Sequence, residues 1–206
     1  MGRIPDATPA APVAFALQLP ADWFELDVKP RTRDAMIRLL VDDRVKLQAE
    51  LREHRGELVK LLRRQARDAW DAGAKYCACF VIAVGESIIP GSITVSVIPS
   101  PHGRATVDAV AENLKSHEAE DDDSTWSRRS LVTLPDVGRA ARREGVIDVP
   151  LPDGRQVVRT VVMQTFVPLT DGRLLLVAAA SPALDLVDPL LELFDAVTAT
   201  LTLVGS

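Results

Sequence analysis

The hydrophobic positions change period several times along the chain. Phe15, Leu17 and Leu19 alternate with small or polar residues and predict a first strand, stopped by Pro20. Trp23, Phe24, Leu26 and Val28 predict a second extended piece, ended by Pro30. Between 31 and 72 the period becomes helical. Met36, Leu39, Leu40, Leu47 and Leu51 form one run, and Leu58, Leu61, Leu62, Ala69 and Trp70 a second. His54-Arg55-Gly56 is the expected turn of a helical hairpin. A single long helix is the alternative, because one internal glycine costs only about 1 kcal/mol. Gly73 is the expected stop.

Strand patterns follow. Tyr76 to Val84 is a nearly unbroken apolar run, as in a strand buried on both faces. Ile93, Val95 and Val97 alternate with Thr94, Ser96 and Ile98. Residues 104–119 read as a helix with Val107, Val110, Ala111 and Leu114 inward, and 117–123 as a charged loop. Leu131 to Leu134 predicts a short strand. Val146 to Leu151, Gln156 to Leu169 and Leu174 to Ala180 predict three more. They are joined by Pro152-Asp153-Gly154-Arg155 and Thr170-Asp171-Gly172-Arg173, and Asp-Gly between apolar runs is a hairpin signal. Asp188 is the expected N-cap and Pro189 the first residue of a closing helix. Its stripe is Leu190, Leu191, Phe194, Val197 and Leu201.

These elements imply an α+β fold in which an antiparallel sheet is flanked by helices, with the helical hairpin at about 31–72. The Pro/Ala-rich residues 1–14 are expected to be disordered, and 15–206 to form one domain.

Composition narrows the function classes. The chain has 206 residues, 47% hydrophobic and 26% charged, with a formal net charge of −5. An acidic balance gives no general attraction to nucleic acid or anionic membrane. No apolar run approaches the length needed to span a bilayer, and the first residues lack a signal-peptide pattern, so a cytoplasmic protein is expected. Cys77 and Cys79 are the only cysteines, placed for one strand face and too close to bond each other, which suits a reducing compartment.

Three segments carry a family resemblance: the opening LPADWFELDV, the tail LLLVAAASPALDLVDPLLELFDAVTATLTL, and the two Asp-Gly hairpins between them. Together they resemble the Mog1/PsbP-like α/β/α sandwich domains. That resemblance implies the layered fold and a role in binding other proteins. It supplies no catalytic residues.

Specific chemistry is sparse. Neither phosphate-binding glycine motif occurs. Gly85-Glu86-Ser87 follows a strand but lacks the second glycine of a nucleophile elbow, so a hairpin turn is expected there. Cys77-x-Cys79 has no second ligand pair, and 117–123 lacks the spaced oxygens of a calcium loop. No catalytic residue, metal site or cofactor is assigned. Arg159 stands among Val157, Val161 and Met163, as a sheet-edge residue, as an arginine whose stem packs while its head reaches water, or as an anion contact in a cleft. One constellation remains: Lys60, Arg63, Arg64 and Arg67, spaced i, i+3, i+4, i+7, form a basic stripe on one helix face. It is either a solvated face, a surface that the acidic run at 117–123 covers, or a docking site for an acidic protein surface. Aromatic interleaving is absent, which argues against nucleic acid. The reading is a non-enzymatic protein-binding adaptor. A small-molecule-binding or catalytic domain with a pocket of scattered residues is the alternative.

Overall fold

A computed structural model describes residues 13–84, 87–100, 106–114, 125–150 and 157–204. Its frame is a seven-stranded antiparallel sheet built by two β segments of the chain. The first contains β2 (Phe24–Leu26), β3 (Ala74–Val84) and β4 (Ser87–Pro99), after a short β1 (Ala14–Ala16). The second contains β5 (Trp126–Leu134), β6 (Gly138–Pro150), β7 (Val157–Pro168) and β8 (Arg173–Ser181). Spatial order is β2-β3-β4-β8-β7-β6-β5, so β8 lies between β4 and β7 and joins the two segments. A final β9 (Thr202–Val204) pairs with β1 in a separate ladder, Ala14 opposite Val204.

The period-2 pattern sorts side chains to two faces. On one face Phe80, Ile93, Val95, Val161, Met163, Leu175 and Val177 are buried. They lie beneath α4 (Val187–Ala199), whose Leu190, Leu191, Phe194 and Val197 complete this core with Leu201 just beyond it. The helix begins one residue before the expected cap. Leu186 is the N-cap, and Asp188 lies in the first turn where its charge suits the helix dipole. Phe80 lies directly opposite Gly91 across β3 and β4. Any Cβ there would collide with the Phe80 ring, so the glycine serves close packing.

On the opposite face α1 (Arg33–Leu47) and α2 (Arg55–Asp71) pack over β2 and β3. The turn between them is a short 3₁₀ segment, Ala49–Leu51, and not His54-Arg55-Gly56, which begins α2. The phase of α1 also differs from expectation. Ile37, Val41 and Val45 are buried, whereas Met36, Leu39 and Leu47 are exposed. Both sets have helical spacing, and the position of α2 selects the β-branched one. Arg55 pairs with Asp42, and the Arg63 guanidinium donates to the Asp34 carbonyl at 3.1 Å. Gly73, at φ +78°, ends α2 as expected. Cys77 and Cys79 share this face and are buried and unbonded. The short α3 (Val107–Asn113) packs on the same face, with Val110 against Ala141 and Leu174.

β6 starts eight residues before the expected Val146 and β5 five before the expected Leu131. The added stretch of β6 is charged. Arg142 and Glu144 nevertheless lie buried on the α4 face. Arg142 Nε donates to Thr165 Oγ1 at 3.1 Å and its Nη1 pairs with Asp195 of α4 at 2.5 Å. Glu144 accepts Arg128 Nε at 2.6 Å. Asp171-Gly172 forms the expected β7–β8 turn, with Gly172 at φ +84°. The Asp153-Gly154 turn lies outside the described residues, but Pro150 and Val157 pair on either side of it.

Candidate groove beside helix α2

The predicted basic stripe divides in the structure. Lys60, Arg64 and Arg67 are exposed along the outer crest of α2. Arg63 is half-buried and turned toward α1, where it holds Asp34. The crest is not uniformly basic, because Glu57, Asp68 and Asp71 are exposed on it too. Leu58, Leu61, Leu62, Ala66 and Ala69 bury the inner face, as their spacing predicts.

Arg64 gains a setting that the sequence could not show. It stands on the wall of a groove of about 570 Å³ between α2 and the sheet. That wall is Leu61, Arg64, Gln65 and Asp68. The floor and far side come from four strands: Pro90 and Ser92 of β4, Ala180 and Ser181 of β8, Val158 and Thr160 of β7, and Val149 of β6. Val149 remains 37% exposed and extends the apolar surface outward. Ser181 Oγ donates to the Pro90 carbonyl at 2.9 Å and accepts Ala183 N–H at 3.3 Å. These bonds fix the Ser-Pro turn at the groove's end. The result is an apolar floor with a cation, a carboxylate and an amide along one lip. Such a surface can take an apolar side chain flanked by charge.

The other sequence candidates resolve individually. Arg159 points to the α4 face beside Val161 and Met163, and bonds Asp148 directly opposite at 2.9 and 3.2 Å. Its charge is therefore used across the β6–β7 pair. Val84 and Ser87 are antiparallel partners at the end of the β3–β4 ladder. Gly85-Glu86 and the acidic run 117–123 lie outside the described residues. Burial pushes the Cys77 thiol up to about 12 and raises that of Cys79 well above its usual value. Among the described residues no cluster of His, Cys, Asp and Glu could hold a metal ion, and no helix is long and apolar enough to cross a membrane. Sequence reasoning missed Arg142, Glu144, Arg143 and Arg129, which all fall in the unexpected lengths of β5 and β6. No family model matches the chain, and no curated protein matches it in sequence.

Proposed function

We propose that this chain is a non-enzymatic, cytoplasmic protein-binding adaptor of the Mog1/PsbP-like kind. In this reading the α1–α2 hairpin is an insertion that supplies the docking surface. The carrying observation is the α2 groove, where Arg64 of the basic stripe borders an apolar floor drawn from β4, β8, β7 and β6. A partner would insert an apolar side chain beside Ala180 and Val158 and set an acidic one against Arg64, with Lys60 and Arg67 adding longer-range attraction. The groove's volume also falls in the range of small-molecule pockets, and that is the competing reading.

One experiment separates them. A photo-crosslinking residue is placed at Val149 on the groove rim and, as a control, at Asp171 in the remote β7–β8 turn. Docking predicts one cross-linked partner peptide from Val149 alone. It should be lost when Ala180→Arg fills the groove, and weakened by Arg64→Glu or by 1 M salt, where the Debye length is about 3 Å. A metabolite-induced thermal shift abolished by Ala180→Arg, without a cross-linked protein, would replace docking by a small-molecule site.

A further inference from the structure

The sheet ends in a long edge strand. β5 closes the strand order and pairs with β6 in an unbroken register, from Trp126 opposite Val146 to Leu134 opposite Gly138. Among the described residues no strand pairs with its other side. Every second residue therefore points its N–H and C=O outward there, a template for a further strand. Arg128, Arg129, Ser130, Leu131 and Thr133 are exposed along it. Edge strands are usually blunted by proline, a bulge or charge. β5 contains no proline, and its two charges fold back onto the protein. Arg128 Nε and Nη2 both bond Glu144 Oε1 at 2.6 Å, and the guanidinium lies 5.8 Å from the Trp126 ring. Arg129 Nη1 donates to the Ala111 carbonyl of α3 at 3.2 Å.

The two faces of this edge suit different neighbours. On the α4 face the Arg128 side chain is 68% exposed, and its five donors exceed what one carboxylate oxygen accepts. On the α3 face Leu131 is 48% exposed and borders, with Ala111, an open hollow of about 360 Å³. Glu112 lines the same hollow and would repel an acid placed there. We infer that β5 accepts an extended acidic segment of a partner protein as a further strand, with a carboxylate against Arg128 and an apolar side chain in the hollow beside Leu131. Neighbours along a strand point to opposite faces, so the segment alternates acidic and apolar residues. A second copy of this chain fits less well. Antiparallel pairing of two β5 strands about Ser130 sets their Arg129 side chains diagonally on one face, where like charges repel. The α2 groove shares no residue with this edge, so the two surfaces are tested separately.

The test uses the full, ¹⁵N-labelled chain and the capped peptide VEVEVEV. The peptide should shift the β5 amide resonances saturably and slow their hydrogen exchange. The lysine counterpart VKVKVKV should not. Nor should VEVEVEV N-methylated at every residue, which keeps the side chains but cannot pair as a strand. These peptide controls leave the chain unaltered, so its folding cannot confound them. Arg128→Gln and Leu131→Asp should each weaken binding about threefold or more, and Ala180→Arg in the groove should leave it unchanged. Binding of the N-methylated peptide would reduce the contact to charge alone, and equal binding of the lysine peptide would remove the acidic preference. Either result overturns the inference. So would β5 shifts that follow chain concentration without peptide, which assign the edge to a second copy. A response seen only after the acids of 117–123 are replaced by amides would overturn it too, by assigning the edge to the chain's own acidic run. No response in either chain would show β5 closed to a further strand.

Discussion

Arg142 of β6 and Asp195 of α4 form a 2.5 Å ion pair whose two ends differ sharply in exposure, 6% for the arginine side chain and 57% for the carboxylate. The energetic consequences of losing each partner are therefore unequal. Asp195→Ala strands a buried guanidinium with Thr165 as its remaining partner and should cost about 3 kcal/mol. Arg142→Met leaves a surface carboxylate, takes the Nε donor from the buried Thr165 hydroxyl and fills about the same volume, so it should cost less, under about 2 kcal/mol. Urea unfolding of both variants checks the order, and a larger loss from Arg142→Met would contradict it.

The thiols set an alkaline limit. Cys77 ionises near 12 in the folded chain, against about 9 when exposed, and Cys79 is raised in the same sense. Between these values the unfolded chain has lost thiol protons that the folded chain keeps. Stability should fall as pH rises above about 9, by at most about 1.4 kcal/mol per unit for each thiol. Replacing both by Ala should flatten the slope between about pH 9 and 10, above which the Tyr76 phenol, also raised by burial, still contributes. An unchanged slope would show that the thiols do not govern it.

Gly91→Ala should destabilise the chain by about 1–3 kcal/mol, because the new methyl meets the Phe80 ring. In a Phe80→Leu background the same change should cost less. A coupling of about 0.5 kcal/mol or more in the double-mutant cycle is expected, and strict additivity would disconnect the two positions.

Helix α2 should separate packing from charge. Leu62→Ala, at a fully buried site, should cost about 2–5 kcal/mol. Arg64→Glu should change stability by less than about 1 kcal/mol, since its side chain is exposed. Arg63→Glu should cost more than Arg64→Glu, because it turns the tie to Asp34 into a repulsion. Thermal melts of the three variants give the ranking directly.

Some of this architecture was legible because local patterns carry it. The alternation in β7 and β8, the Asp171-Gly172 turn, Gly73 and the stripe of α4 all act within a few residues. The α1 phase was not legible: Met36, Leu39 and Leu47 repeat as well as Ile37, Val41 and Val45, and only packing against α2 and the sheet decides between them. The first half of β6 was hidden by Arg142 and Glu144, which read as loop charges until Asp195 and Arg128 arrive to pair with them. Ala140, Arg142, Glu144 and Val146 do alternate with the other face, a signal that a pure hydrophobicity pattern overlooks. The groove was half legible. Arg64 belonged to a visible stripe, but Ala180, Thr160 and Val149 meet it only through the sheet.

The position of β8 between β4 and β7 has a kinetic consequence. The α1–α2–β3–β4 segment and the β5–β8 meander each form from near neighbours, whereas Thr94 and Ala178 are 84 residues apart when they meet. Closing so long a loop precedes the contacts that reward it. Refolding should therefore be gated by the zipping of β4 onto β8. Pro90, Ser92, Ala180 and Ser181 straddle that seam and line the groove, so the groove should take shape last, after both halves have already acquired their secondary structure.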